Sequence, residues 1–465
     1  MHLHPQRLAP ALIQGTVEWT HAELAQRVEQ AARAFPGDTP GLVFLYAPND
    51  LASVVALLGA RRARHPVVLL DPLSPPQVRQ DLEARYRPRW VLAPRADRSP
   101  GQPLSADELQ LRDSPQGPLH PELALLLSTS GSTGSPRLVR LSEQAVRSNA
   151  AAISQALGIS PDSRALLTLP LHYSFGLSVL NSQLLAGASV VLSEASPAQR
   201  QFWSTLADRA CTTWAAVPYG YELFLRLGGE RLAPPPLRDL LVAGGHLPAA
   251  RSQRLAAWLA ERGGRLFRMY GQTEATARMA VLPPELAASR PEAAGVALPG
   301  GRFWIDPLQG EVVYRGPNVM MGYASDHQDL ARGDELGGEL RTGDLGSLDE
   351  AGILSLHGRM RRFAKIHGQR VALDEVEALC SEHSAGAETC AALAGEDQLR
   401  LFGEWPAALD LEALRTALAT RLRLHPSALR LARRLPLPRL PSGKIDYAAL
   451  ADPSPADPSP AEEAP

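Results

Sequence analysis

Two features of this sequence put charged or polar groups where chemistry could use them. After the apolar run "LALLL" (123–127) the chain reads "STSGSTGSPR" (128–137). Glycines let a backbone approach an anion closely. The hydroxyls and N–H groups of Thr129, Ser130, Gly131, Ser132, Thr133 and Gly134 supply donors, and Arg137 adds positive charge. The same composition also suits a flexible linker, and no lysine closes the loop in the G-x-x-x-x-G-K-S/T manner. The second feature is rarity: among 47 Lys and Arg residues, only Lys365 and Lys444 are lysine. In a chain biased toward arginine, a retained lysine suggests a place where a compact ammonium on a flexible stem does what a planar guanidinium cannot. Solvated surface lysines are the ordinary alternative.

The elements that must carry these groups follow from the hydrophobic pattern. "GLVFLY" (41–46), a helical stretch at 51–63, "PVVLLD" (66–71), "WVLAP" (90–94), "LALLLSTSG" (123–131), "SRALLTLP" (163–170), "ASVVLS" (188–193) and "LRDLLVAGG" (237–245) repeat a short buried strand followed by a turn. Strands alternating with helices predict βαβ units and an α/β fold with parallel sheets. From about 296, "RFWID", "GEVVYRG" and "GILSLHGR" predict a small β-rich subdomain, a sheet or barrel. Beyond 358 a helix, a strand, a second helix and the Lys444 loop predict a separate α+β domain. The expected division is 1–357, 358–451 and a Pro/Ser/acidic tail at 452–465, too polar to offset its chain entropy by burial.

Composition narrows the function classes. A chain of 465 residues with 45% hydrophobic and 21% charged content describes a globular protein of two or more domains. A net charge of −2 gives no whole-chain field for nucleic acid or an anionic membrane. No apolar run approaches 18 residues and the N-terminus lacks a leader-like apolar region, so no membrane span is expected and the cytoplasm is the default compartment. Cys211, Cys380 and Cys390 are too few and scattered for a disulfide framework or metal site.

Seven blocks in order, "STSGSTGSPR", "LPLHYSFGLS" (169–178), "VAGGHLP" (242–248), "MYGQTEAT" (269–276), "GELRTGDLG" (338–346), "GRMRRFAKIHGQRVALDEVE" (358–377) and "LPSGKID" (440–446), make the chain resemble the adenylate-forming superfamily of acyl-CoA synthetases, nonribosomal peptide synthetase adenylation domains and luciferases. The resemblance covers nearly the whole chain. It implies that a carboxylate attacks the α-phosphate of ATP to give an acyl-adenylate, which a thiol then takes up. Positioning and electrostatic stabilisation would carry most of such a reaction.

The resemblance assigns the 129–134 loop and Arg137 to the β- and γ-phosphates, although the family usually has lysine at Arg137 and glycine at Leu138. It gives Glu274 to Mg2+, a hard cation preferring oxygen. Tyr270, Gly271, Gln272, Thr273, Gly244 and Gly245 would line the nucleotide, Asp344 would accept from the ribose hydroxyls, and Arg359 would contact the nucleotide at the domain boundary. Lys444 would enter the gap between acid and α-phosphate. Lys365 would serve the second half-reaction after the small domain rotates about a hinge at Arg361. That hinge, Arg359-Met360-Arg361-Arg362, departs from the family's usual Asp or Lys pivot.

Tyr173, Phe175 and His246 would line the acid. His172 and Tyr173 stand in the reverse of the family's aromatic-His order, so Tyr173 either gates the carboxylate or packs at a strand end. No acid occurs from 169 to 192, and a buried ammonium without counter-charge is costly. A fatty or aromatic acid is therefore expected over an amino acid. The implied acceptor is CoA or the phosphopantetheine of a separate acyl carrier protein, external because the tail carries no folded carrier region. A stand-alone amino-acid ligase, or a weakly catalytic nucleotide-binding homologue, are the alternatives.

Overall fold

A computed structural model describes residues 4–35, 39–93, 109–112, 117–128, 137–360, 362–366, 369–383, 390–395, 398–422, 424–440 and 443–451. The chain divides into two compact units, Met1–Thr342 with Leu348–Ser355, and Gly343–Ser347 with Leu356–Pro465.

In the first unit the strands Val43–Tyr46, Val67–Leu70, Trp90–Leu92 and Leu123–Ser128 pair in parallel, with Val43 opposite Val67 and Val67 opposite Leu125. Both faces of "VFLY" and "VVLL" are buried, which is why these runs are continuously apolar rather than alternating. The helix Leu51–Arg62 between the first two is capped by the Asp50 carboxylate on Ser53 N–H and buries "LASVVALLGA" almost throughout. Leu123–Ser128 then turns back on itself: Ser128 sits opposite Leu138 in the antiparallel strand Leu138–Ser142. Both stems of the Ser/Thr/Gly loop are thus adjacent strands of one sheet.

A second sheet runs Ser189–Leu192, Arg164–Leu167, Thr213–Ala216, Asp239–Val242 and Arg265–Tyr270 in parallel neighbours. The "RFWID" and "GEVVYRG" segments do not close a barrel. They form Arg302–Ile305 and Glu311–Arg315 in an open antiparallel sheet that joins the parallel strands through Ala280–Leu282 and Ala293–Ala297.

The second unit is α+β. A hairpin of Phe363–Ile366 and Gln369–Ala372 precedes the helix Leu373–His383. A three-stranded sheet follows, of Cys390–Ala394, Leu399–Gly403 and Leu429–Arg433, with the helix Leu411–Leu422. Ile366, Val376, Cys380, Leu399, Leu401 and Leu418 are fully buried at its centre. No helix among the described residues is long and apolar enough to cross a membrane.

Candidate active site

Ligands of open α/β sheets sit beyond the carboxyl ends of the strands, where loops are free to diverge. Four such ends meet here. Arg164–Leu167 leads to His172–Phe175, Thr213–Ala216 to Pro218, Asp239–Val242 to Gly244–His246, and Arg265–Tyr270 to Gly271–Glu274.

Gly244 has φ +84°, and a Cβ there would lie 2.3 Å from the Tyr173 hydroxyl. The glycine is what lets Tyr173 lie against the strand end. The Tyr173 ring meets Phe175 edge-on at 6.2 Å between centroids. Burial pushes the Tyr173 phenol up to about 12, so it stays protonated. Tyr173 thus packs between Phe175 and the Gly244 strand end. The Ser174 and Thr273 hydroxyls lie 3.1 Å apart, tying this loop to the next.

The turn after Tyr270 is strained. A Cβ on Gly271 would lie 1.8 Å from the Ala277 carbonyl oxygen. Thr276 and Ala277 both have positive φ, 59° and 109°, unfavourable for any residue with a Cβ and most of all for the β-branched Thr276. Thr276 is held there by its hydroxyl, which donates to the Asn318 carbonyl at 2.6 Å. The Gln272 amide donates to the Thr342 carbonyl at 2.8 Å, and the Tyr270 and Phe303 rings lie 6.3 Å apart.

Within that turn the Glu274 carboxylate accepts from the Tyr323 hydroxyl at 2.8 Å. The same Tyr323 ring carries the exposed Arg137 guanidinium 4.7 Å from its centroid. Tyr323 therefore joins the acidic turn of one sheet to the cationic base of the Ser/Thr/Gly loop on the other. It reaches this place because the strand Gly322–Ala324 pairs antiparallel with Leu138–Ser142, Tyr323 opposite Val139. Sequence reasoning missed Tyr323; an aromatic in "MGYAS" next to small residues is its only local trace.

His246 keeps 54% of its side chain accessible, with Nδ1 3.7 Å from the Glu292 carboxylate. The pKa of His172 is lowered by burial against the pull of Asp71. Glu222, a carboxylate from the 200–225 segment, is paired with Arg251 and so is already neutralised.

In the second unit Asp344 is 5% exposed and its carboxylate meets Arg359 Nε at 3.1 Å. The two expected nucleotide contacts thus form an ion pair with each other. Arg362, next to the expected pivot Arg361, forks onto Glu377 at 2.8 and 3.1 Å and stacks over Tyr447. Lys444 follows Gly443 in a tight turn, where Leu440 N–H donates to the Lys444 carbonyl at 2.8 Å and Arg439 bridges Ile445. Glu404 anchors the turn's stem by accepting from Leu437 N–H at 2.9 Å. Lys365 pairs through its backbone with Arg370 in the hairpin. Thr129, Ser130, Gly131, Ser132, Thr133, Gly134 and Arg361 lie outside the described residues.

Among the described residues no three His, Cys, Asp or Glu side chains gather as a metal cage. A magnesium ion would fit Glu274 as a single protein carboxylate supplemented by phosphate oxygens and water, the usual habit of that cation.

Comparison with known proteins places this geometry in context. The family model for AMP-binding enzyme matches residues 3–324. The chain is 32% identical over 298 residues to a 2-succinylbenzoate–CoA ligase of Bacillus pumilus, covering 62% of this chain and 58% of that one. It is 31% identical over 422 residues to pyochelin synthetase PchE of Pseudomonas aeruginosa, covering 83% of this chain and 28% of that one. It thus spans less than two thirds of either relative. In fold it is similar to o-succinylbenzoate CoA synthetase of Bacillus subtilis in complex with an acyl-adenylate, with TM-score 0.77, 23% identity and 97% and 96% of the two chains covered. The anthranilate CoA ligase AuaEII, in complex with anthranoyl-AMP, gives 0.77 at 20% identity, covering 96% and 94%.

Proposed function

This chain belongs to the AMP-binding enzyme family, and from that premise we propose that it activates a carboxylic acid with ATP and passes the acyl group to the thiol of CoA. The observation that carries the proposal is the Arg137–Tyr323–Glu274 link, which sets a cation and a hard-oxygen ligand side by side at the exit of the Ser/Thr/Gly loop. A polyphosphate needs both.

In the first half-reaction an oxygen of the acid attacks the α-phosphate, the α–β bridging bond breaks, and pyrophosphate leaves. Magnesium, when bound, would neutralise charge on the phosphates. Arg137 and the 129–134 loop hold the β- and γ-phosphates. Tyr270, Gly271, Gln272 and Thr273 face the base and sugar together with Gly244 and Gly245. Asp344, oriented by Arg359, accepts from the ribose. Lys444 brings an ammonium to the oxygens that meet at the α-phosphorus, where two anions are forced together. In the second half-reaction the thiolate attacks the acyl carbon and AMP departs, with Lys365 presented by the second unit.

An aromatic acid is favoured by the names of the relatives, and by Tyr173 and Phe175 lining the strand ends. The engaged Glu222 speaks against an ammonium-bearing acid. A carrier-protein phosphopantetheine remains the second acceptor to assay, favoured by the similarity to PchE.

Two expected outcomes test this reading. Tyr323→Phe removes the hydroxyl from Glu274 but leaves the ring under Arg137, so KM for MgATP should rise more than about tenfold with kcat little changed, the size of one lost hydrogen bond to a charged group. A KM within error of wild type would separate Tyr323 from the nucleotide. Lys365→Ala should accumulate acyl-adenylate without thioester, read by following pyrophosphate and thioester release together. Equal loss of both products would remove Lys365 from the second step.

A further inference from the structure

One buried group has no role in the chemistry above. Arg278 is 1% exposed, and its Nε, Nη1 and Nη2 are all buried without a hydrogen-bond partner. Its backbone carbonyl is held by the amides of Asn149 at 2.7 Å and Asn318 at 3.2 Å, so the residue is fixed in place while its charged end is unanswered. The guanidinium lies 4.9 Å over the ring of Phe175, itself against Tyr173 and so continuous with the Gly244 wall. Burial is the one influence shifting this guanidinium, which falls to about 9 and stays charged at neutral pH. Buried charges are ordinarily paired, and other deep arginines here obey that rule: Arg140, fully buried, meets Glu335 at 2.8 Å and several carbonyls.

We propose that Arg278 is a specificity-determining residue that pairs with a second carboxylate at the far end of the acid, making the substrate a dicarboxylate. The inference rests on the acid-activating reading above. Arg278 is closed off from solvent, whereas Arg137 is exposed and Glu274 half-buried, so the polyphosphate has a separate cation of its own. An acid lying along Tyr173 and Phe175 with its reacting carboxylate at the nucleotide end extends its other end toward Arg278. Phe175 covers the guanidinium by a cation–π contact until an anion replaces it. A guanidinium matches a carboxylate bidentately, and a site that leaves such donors unpaired rejects the neutral analogue strongly.

The test uses the full chain and matched acids: benzenedicarboxylates against methylbenzoates, and α,ω-dicarboxylates against monocarboxylates of equal length. Wild-type acid-dependent pyrophosphate exchange should favour the dicarboxylate by at least about a hundredfold in kcat/KM. Arg278→Met should abolish that preference while sparing neutral acids, and Arg278→Lys should restore part of it. Preference for neutral acids in the wild type, or equal loss on all acids in Arg278→Met, would overturn the proposal. A melting measurement separates its failure from that of the activity. Dicarboxylate alone should raise the melting temperature of the wild type and not of Arg278→Met, whose acid-free form should melt no lower than wild type because an unpaired charge has gone. If no acid supports exchange, the activity reading fails. The shift with dicarboxylate then still supports a role for Arg278, and no shift removes it.

Discussion

Replacing Lys444 with alanine is expected to lower acid-dependent ATP–pyrophosphate exchange by at least about a thousandfold, the scale of losing a preorganised group aimed at charge that develops in the transition state. Nucleotide binding and the melting temperature should hardly change. The turn is set by backbone hydrogen bonds from Leu440 and Gly443 and by Glu404 at its stem, none of which uses the lysine side chain. Lys444→Arg sharpens the result. It keeps the charge, so a loss close to that of alanine shows that a narrow gap excludes the wider guanidinium. Exchange within tenfold of wild type in Lys444→Ala would withdraw the assignment.

The second large effect concerns the acidic turn. Gly271→Ala places a Cβ 1.8 Å from the Ala277 oxygen and 2.7 Å from the Ala277 carbonyl carbon and Arg278 Cα, all backbone. None can move cheaply: Ala277 N–H donates to Gln272 O at 3.1 Å, Met279 N–H to Tyr270 O at 2.8 Å, and Met320 N–H to Glu274 O at 2.8 Å. A loss of more than about 3 kcal/mol is expected, among the largest that single substitutions cause, seen as a large drop in melting temperature. Gly244→Ala is the contrast. Its nearest atom is the Tyr173 hydroxyl, so adding Tyr173→Phe should restore part of its loss, leaving the cost of positive φ. A Gly271→Ala variant melting within a degree or two of wild type would contradict the turn described here.

Much of this was legible in the residue pattern. Runs such as "VFLY" and "VVLL" are apolar on both faces because parallel strands are covered on both sides, so their place in an α/β sheet follows from local reading. The turns holding Gly244 and Gly271 could be picked out through the resemblance of their blocks, and the close approach at each glycine is local. What escaped depends on distant pairing. Tyr323 reaches Glu274 only through its strand's register with Leu138–Ser142. The antiparallel strands after 296 look independent in sequence, yet Ala293–Ala297 joins them to the parallel strands through Ala280–Leu282. Asp344 and Arg359 read as two separate ligand contacts, while folding makes them partners. Arg278 gave no signal, because one arginine in an Arg-rich chain looks like surface until its burial is known.

The central claim is that an acid and ATP react here to give a mixed anhydride and pyrophosphate. Its most direct measurement is the incorporation of labelled pyrophosphate into ATP by the purified chain with magnesium, across aromatic, aliphatic and amino acids. The account predicts exchange that requires an acid, is strongest with a non-amino aromatic acid, and collapses in Glu274→Gln. Exchange with no acid in the panel, or exchange indifferent to Glu274, would contradict it.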